Sequence, residues 1–211
     1  SVTTTNAIGL DGINDYMSTN LKLSNMENFT MEGWVYPYVG GSRKGFFGNN
    51  NTIEFGFNGS TNIAAWTDKK GTISWSFNNA TFPLSEWHHV ALVGTPTSTR
   101  MYVDGIERGA QTFGNIGNYG NAGSSFNFNI GGAVWDAGGN HVKQKFDDVR
   151  VWNVAKTQAE LQAAMNTELV GNEAGLIGYW KFDEGAAGGN NTGLPSSIED
   201  SSPNDNTGTL V

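Results

Sequence analysis

The chain has 211 residues, no cysteine and a formal net charge of −8, and only 15% of its residues are Asp, Glu, Lys or Arg. Basic residues form no stripe, which argues against nucleic acid as a partner, and no apolar segment approaches the ~20 residues that cross a bilayer, which argues against a membrane partner. The 29 glycines favour many strands joined by polar turns over long helices.

The length fits one all-β sandwich, so a single domain is predicted over residues 1–211. The first residues, Ser1–Thr5, are mostly polar and carry no charged-then-apolar leader. We interpret 1–5 as the remnant of a linker in a longer, exported protein.

Apolar residues alternate with polar ones along several segments, beginning with Phe29–Tyr36, which is followed by Pro37. A period of two places the apolar residues of each segment on one face of a strand, where they line a core. The other trios predicted to be buried are Ile53, Phe55 and Phe57; Ile73, Trp75 and Phe77; and Phe126, Phe128 and Ile130.

Later segments complete the predicted elements. Residues 87–93 and 176–182 are apolar on both faces, which is typical of strands covered on two sides. Between them, Asp104-Gly105 predicts a tight hairpin turn. Thr157 with Glu160 three residues later forms a capping box and predicts one short helix over 157–165.

Three long loops rich in Gly and Asn separate these elements, at 115–125, 133–141 and 184–207. Long loops on a rigid sandwich commonly carry binding residues.

Six motifs occur in a fixed order, and together they resemble the laminin-G-like and pentraxin domains of the concanavalin A-like lectin/glucanase superfamily. The resemblance covers about residues 7–210 and implies an all-β jelly roll of two curved antiparallel sheets with one short helix near 157–165. The motifs are LDGINDYM from Leu10, FTMEGWV from Phe29, WHHVALV from Trp87, YVDG from Tyr102, FNIG from Phe128 and FDDVRVWN from Phe146.

The tail after Gly175 also resembles this family, although similar segments often stand at the start of such domains. We predict that it pairs with strands near the N-terminus and completes a sheet. The alternative is that part of it begins a following domain.

Most members of the family bind ligands without catalysis. The resemblance therefore implies a noncatalytic carbohydrate-binding module of a secreted, bacterial, multidomain polysaccharide-active enzyme or surface protein, located outside the cell or at its surface. Its partners would be a polysaccharide or oligosaccharide and neighbouring domains of the same chain. The alternatives are a protein-binding adhesion module and, third, a polysaccharide hydrolase or lyase.

The carboxylates give little support to catalysis. A retaining glycosidase needs two carboxyl groups about 5–5.5 Å apart, and no Glu-x-Asp-x-x-Glu run occurs. Asp147 and Asp148 are adjacent, so they are predicted to point to opposite faces of their strand, as are His88 and His89. We predict that the chain is not an enzyme.

Calcium is a possible cofactor, structural or bridging to the ligand, because Asp and Asn supply the oxygen ligands it needs. At positions that match the pentraxin site the chain has Asn50, Asn51 and Asp136. A second, structural site could form where Asp11 and Asp15 meet Asp147 or Asp148. The alternative is that Asp11 and Asp148 accept hydrogen bonds from turn N–H groups.

Sugar rings stack on flat aromatic faces. Trp66, Trp135 and Tyr119 lie at a strand end or in loops and are predicted to contact the ligand, or else to cover an end of the sandwich. Trp34, Trp75, Trp87, Trp152 and Trp180 lie in strand patterns and are predicted to be core. The polar ligand-binding candidates are Asp136, Asn50, Asn51, Asn140 and His141, and the few basic residues favour a neutral or weakly charged glycan.

Overall fold

The computed structural model describes residues 6–120, 126–132, 134, 140–184 and 196–211, and the predicted linker at 1–5 lies outside them. Within these ranges the chain forms two antiparallel sheets and one short helix, α1 (Gln158–Ala164). The strands are β1 (Ile8–Leu10), β2 (Met17–Ser18), β3 (Phe29–Pro37), β4 (Gly41–Asn49), β5 (Ile53–Gly59), β6 (Asn62–Thr67), β7 (Gly71–Ser76), β8 (His88–Thr95), β9 (Ser98–Val103), β10 (Ile106–Thr112), β11 (Phe128–Ile130), β12 (Gln144–Trp152), β13 (Leu176–Trp180), β14 (Ser197–Ile198) and β15 (Gly208–Leu210).

The seven-stranded sheet has the order β1-β12-β3-β8-β9-β10. Strand β13 pairs with the same edge of β12 as β1 does, but further along β12. The eight-stranded sheet has the order β14-β15-β2-β11-β4-β5-β6-β7. The C-terminal strand β15 pairs with β2, Thr209 opposite Ser18. The predicted pairing of the tail with N-terminal strands is therefore confirmed, and so is the jelly-roll sandwich.

The core lies between the two sheets and is rich in aromatic rings. Ile53, Phe55 and Phe57 of β5 are fully buried, as their alternation predicts. Trp180 of β13 stacks on Phe128 of β11 with ring centroids 5.5 Å apart, so the tail contributes directly to the packing between the sheets.

Two of the five tryptophans predicted to be core differ from that prediction. Trp75 is only partly buried, at the edge of the core, where the guanidinium of Arg108 lies 4.8 Å from its ring centroid. Trp87 is also only partly buried, and its ring contacts Tyr36.

The helix begins at the predicted capping box, in which Thr157 and Glu160 exchange hydrogen bonds. Leu161 packs in one cluster with Ala91, Val93 and Tyr102 of the seven-stranded sheet. The amide groups of Gln158 and Gln162 both donate to the carbonyl of Gly105 in the Asp-Gly hairpin. α1 therefore covers part of the outer face of the seven-stranded sheet.

The hairpin turn has the predicted geometry. Asp104 and Gly105 have φ of 51° and 71°, the left-handed values that a type I′ turn requires. The Asp104 side chain also accepts hydrogen bonds from the His89 backbone N–H and the His88 ring, so this turn is fastened to β8.

Candidate functional site

A continuous row of outward-facing residues crosses the eight-stranded sheet on the side of the sandwich opposite α1. Their alternation with core residues such as Phe55 and Phe128 places them on the outer face, although Glu54 and Asn129 in the middle of the row are only 4% and 7% exposed. Directly opposed residues have Cβ atoms about 4.5–5.5 Å apart. From β15 to β7 the row is Thr209, Ser18, Asn129, Gly48, Glu54, Trp66 and Thr72.

Trp66 is the aromatic side chain of this row, and it is partly exposed. It packs against Ala64 of its own strand and against Val134. These apolar contacts hold one part of the indole while the rest meets solvent, which suits a stacking platform for a sugar ring. The predicted placement of Trp66 at a surface is thus consistent with the structure.

Two turns lie beside Trp66 at this end of the sheet. The backbone N–H of Asp68 donates to the carbonyl of Thr52, which joins the turn after β6 to the turn after β4. Asn51 is exposed, and its backbone N–H donates to Glu54 Oε1 at 2.8 Å. We call the surface formed by Trp66, Thr72, Asn51, Asp68 and Glu54 the Trp66 surface.

Among the other polar candidates, Asn50 is buried, so it presents little surface to a ligand. Asn140 and His141 lie away from the Trp66 surface. The His141 ring contacts Tyr16 and its Nδ1 lies 3.1 Å from the carbonyl oxygen of Asp15. His141 therefore lies next to β2, which is four strands away from β6 in the sheet. Four strand spacings separate β2 from β6 by about 19 Å.

Two further candidates, Trp135 and Asp136, lie outside the described residues. Their proposed contacts with a ligand or with calcium stay predictions.

Tyr119 was predicted to contact a ligand from its loop, and that prediction is wrong. Its side chain is 0% exposed and packs edge-on against Phe29. Its hydroxyl lies 2.7 Å from the Ser98 carbonyl oxygen and 2.8 Å from the Thr95 carbonyl oxygen. Burial raises the pKa of the Tyr119 phenol, which therefore serves as a neutral anchor for the β8–β9 turn.

Replacing Tyr119 with Phe should lower the free energy of unfolding by about 1–3 kcal/mol, because buried hydrogen-bond groups lose their partner. Urea unfolding followed by tryptophan fluorescence measures this change. Tyr16→Phe is the control, since Tyr16 is partly exposed, and its expected change is within about 0.5 kcal/mol. Equal losses in both variants would contradict the anchoring role.

The structure also overturns the predicted calcium site that joins Asp11 and Asp148. Asp11 Oδ1 accepts the Ile13 N–H, as the turn-capping alternative supposed. Asp148 binds Arg150 through one carboxylate oxygen and the Tyr179 hydroxyl through the other. Gly12, next to Asp11, lies against Lys143. Lys143 precedes Asp148 by five residues, which in a strand span about 16 Å. One ion therefore cannot bind the carboxylates of both Asp11 and Asp148.

Asp147 and Asp148 also do not point to opposite faces as predicted. A bulge interrupts the pairing of β12 with β3 between Asp147 and Arg150, and Asp148 has φ of 55°. Both carboxylates therefore reach the outer side of the sheet. Nevertheless, over the residues that the structure describes, no group of three or more His, Asp or Glu side chains is arranged to hold a metal ion.

A buried polar cluster that the sequence did not indicate lies under α1. Glu32 is 1% exposed; one of its carboxylate oxygens accepts the Trp152 indole N–H at 2.8 Å and the other lies 3.1 Å from His89 Nε2. Arg150 donates to the carbonyls of Ala164 and Thr167 at the end of the helix. This cluster fastens α1 to the sheet. Glu32, His89 and Arg150 come from three different strands, β3, β8 and β12, so no local sequence pattern marks the cluster.

The neighbouring histidines have structural roles and lie on opposite faces, as predicted. His88 stacks on Phe82, while its two ring nitrogens contact Asp104 and the Pro83 carbonyl. Burial lowers the pKa of His88, but these hydrogen bonds outweigh burial and raise the pKa above its ordinary value. Neither histidine is left for catalysis.

None of the helices in the described ranges is long and apolar enough to cross a bilayer. No curated protein matches the chain in sequence.

Solved structures with the same fold are numerous. The chain is similar to a protein from Bacteroides ovatus provisionally assigned as carbohydrate-binding, with 22% identity and a TM-score of 0.74 over 97% of this chain and 58% of that one. It is similar to domain 4 of an extracellular arabinanase from Geobacillus stearothermophilus in complex with arabinotriose, with 17% identity and a TM-score of 0.54 over 75% of this chain and 76% of that one. It is also similar to a sialidase carbohydrate-binding domain from Ruminococcus gnavus bound to α2,3-sialyllactose, with 12% identity and a TM-score of 0.57 over 76% of this chain and 96% of that one.

At these identities the structural matches establish the fold alone, and the chain spans 58% of the length of the Bacteroides ovatus protein. The family is established by sequence: the model described as the concanavalin A-like lectin/glucanases superfamily matches residues 11–162. Because this match covers well over half of the sequence, the chain belongs to the Laminin_G_3 family of that superfamily.

Proposed function

We propose that the chain is a noncatalytic carbohydrate-binding module and that it binds a neutral or weakly charged glycan at the Trp66 surface. The observation that carries this proposal is the partly exposed indole of Trp66, fixed by Ala64 and Val134 on the outer face of the eight-stranded sheet. An aromatic face removes the apolar C–H surface of a sugar ring from water.

Polar groups around the ring suit sugar hydroxyls. Asn51, Asp68 and Thr72 are all exposed. Thr72 lies directly opposite Trp66, and Asn51 and Asp68 lie in the two turns at this end of the sheet. Amide, carboxylate and hydroxyl groups offer both donors and acceptors to vicinal hydroxyls. A calcium ion that bridges Asn51 and a glycan stays a prediction. The described residues do not form a calcium ligand set, and Asp136 lies outside them.

The noncatalytic assignment rests on the carboxylates of this face. Glu54 is the carboxylate in the described row across the sheet, and it is 4% exposed with Oε1 already bound to the Asn51 N–H. Hydrolysis needs a second carboxyl group at a defined distance from the first. The other carboxylate of the Trp66 surface, Asp68, is exposed in the turn after β6, whereas Glu54 is buried in β5.

The Bacteroides ovatus, arabinanase and sialidase relatives support the same class of ligand through their described functions. By analogy, we propose that the chain is exported and works beside other domains of a polysaccharide-active or surface protein. The adhesion alternative has weaker support, because none of these three relatives is described as binding a protein.

Replacing Trp66 with Ala should weaken glycan binding at least tenfold, since loss of one stacked aromatic ring removes about 1.4 kcal/mol or more. Affinity electrophoresis against arabinan, galactan, xylan and starch identifies the polysaccharide that retards the wild type. Isothermal titration with an oligosaccharide of that polymer then gives the Kd of each variant.

Trp66→Phe serves as the matched control because it keeps an aromatic ring at the same position, and it should retain most of the affinity. Unfolding curves of all three proteins verify that they are folded at the titration temperature. Unchanged affinity in a folded Trp66→Ala variant would place the glycan elsewhere on the protein.

A further inference from the structure

α1 covers only part of the outer face of the seven-stranded sheet. Met165, the residue that follows α1, accepts the Trp34 indole N–H through its carbonyl. Trp34 therefore lies at the border of the covered area. Beyond this border the register places Lys145 opposite Tyr36 on one side and opposite Gly9 on the other. No side chain on β1 therefore stands beside Lys145.

The residues beyond the helix point outward because their neighbours point inward. Val35, His88 and Phe146 are buried, and alternation turns Tyr36, Trp87 and Lys145 to the outer face. Tyr38 and Lys143 continue the pattern and are joined by a hydrogen bond from the Tyr38 N–H to the Lys143 carbonyl.

We call these five residues the Lys-aromatic face: Tyr36, Tyr38, Trp87, Lys143 and Lys145. The Tyr36 ring lies 5.5 Å from the Trp87 ring and 5.1 Å from the Tyr38 ring, in both cases edge-to-face. All three rings are partly exposed. The ammonium of Lys145 lies 5.3 Å from the Tyr36 centroid and that of Lys143 lies 5.1 Å from the Tyr38 centroid.

The charge of this face is opposite to that of the whole chain, which carries −8. Elsewhere, Lys181 pairs with Glu168 and Arg100 pairs with Glu107. Across the ranges of the chain that the structure covers, no carboxylate lies within 4.0 Å of Lys143 or Lys145. Two ammonium groups thus stand over aromatic rings without an acidic partner.

The geometry points to a second carbohydrate site on the Lys-aromatic face, one that takes sugars carrying a carboxylate. The ring of such a sugar stacks on Trp87 or Tyr36, and its carboxylate pairs with the ammonium of Lys145 or Lys143. This site lies on the opposite side of the sandwich from the Trp66 surface, so the two are independent in sequence and in space.

Two carboxylated probes, trigalacturonate and 3′-sialyllactose, test the site, each against a neutral counterpart of matched size, galactotriose and lactose. Calorimetric titration at low salt should detect binding of at least one acidic probe, at lower affinity or not at all for its neutral counterpart. Raising the salt concentration should weaken the acidic complex, because exposed charges are screened.

Lys145→Met removes the charge but keeps the length of the side chain, and we expect it to raise the Kd of the acidic probe about threefold. Trp87→Ala should raise that Kd about tenfold, since it removes the stacking ring. The control is Lys22→Met, because Lys22 is an exposed lysine whose neighbour Leu21 is hydrogen-bonded to β11 in the other sheet. This variant should bind the acidic probe with the wild-type Kd.

Trp66→Ala separates this site from the proposed neutral-glycan site. Acidic-probe binding that persists in Trp66→Ala but falls in Lys145→Met supports the second site, whatever the fate of the neutral glycan. Binding of the acidic probe that disappears in Trp66→Ala and is unchanged in Lys145→Met overturns it. So does the absence of binding of both acidic probes to the wild type.

Discussion

Replacing Glu32 with Ala should lower the free energy of unfolding by about 3–5 kcal/mol, the usual cost of removing one partner from a buried charge pair. Glu32 is 1% exposed, and its carboxylate accepts the Trp152 indole N–H and pairs with His89. Its removal leaves buried donors without an acceptor and takes away negative charge that acts on Arg150.

The same cluster predicts how stability depends on pH. Burial raises the pKa of Glu32, but the contacts with His89, Arg150 and Trp152 outweigh burial and hold the pKa below its ordinary value. A carboxylate whose folded-state pKa is lowered stabilises the protein above the unfolded-state pKa, and this contribution is lost as the pH falls through the folded-state pKa. The difference between wild type and Glu32→Ala should therefore shrink in acid.

Urea unfolding at several pH values measures both effects. The matched control is Glu107→Ala, because Glu107 also pairs with a basic residue, Arg100, at 2.7 Å, but both side chains are more than a third exposed. An exposed pair contributes about 0–1 kcal/mol. A loss in Glu32→Ala no larger than that in Glu107→Ala would mean that the cluster does not fasten α1 to the sheet.

Alternation and capping predicted most of the fold because both act locally. Phe55 and Phe57 follow a strict period of two and are fully buried, and the capping box of Thr157 and Glu160 occurs at the start of α1. The order of the motifs also predicted that the tail joins the N-terminal strands. These features depend on residues close in sequence or on a family pattern, so one sequence suffices to find them.

The errors arise where a distant element decides burial. Trp34 and Trp87 occupy similar strand patterns, but Trp34 lies against the end of α1 and Trp87 lies beyond it. Tyr119 lies in a loop with no periodicity, and it is buried because its backbone N–H binds the Met26 carbonyl and its ring meets Phe29. Neither outcome leaves a local signal in the sequence.

The candidate site was predicted in part. Trp66 and Asn51 do come together, because cross-strand register sets Trp66 opposite Glu54 and Glu54 binds the Asn51 backbone. The Lys-aromatic face was missed because its lysines and aromatic residues come from three separate strand regions. Only the pairing of β3 with β12 on one side and with β8 on the other reveals that they share a face.

Replacing Asp147 with Asn should raise the free energy of unfolding at pH 7 by about 2–4 kcal/mol, from ~1.4 kcal/mol for each unit of pKa difference between the two states. Asp147 is 9% exposed. Burial, followed by the charges of Asp148 and Asp183, raises the pKa of Asp147 to about 8. The folded protein therefore holds a proton that the unfolded chain releases near pH 4.

The sign follows from proton linkage. A carboxyl whose folded-state pKa is raised costs no stability below the unfolded-state pKa of 3.8, and its cost grows as the pH rises from there towards about 8. Wild type and Asp147→Asn should therefore be equally stable near pH 3.5 and diverge steadily up to pH 8. Thermal and urea unfolding across this range measure the divergence.

Asp183→Asn provides the comparison, because it removes one of the neighbouring charges but leaves the buried carboxyl. It should stabilise the protein less than Asp147→Asn does.

Millimolar calcium adds a second arm to the experiment: a bound cation favours the ionised carboxylate and reverses the pH trend. Calcium that makes the wild type more stable than Asp147→Asn would identify Asp147 as a metal ligand, and equal curves with and without calcium would keep it a buried, protonated acid at pH 7.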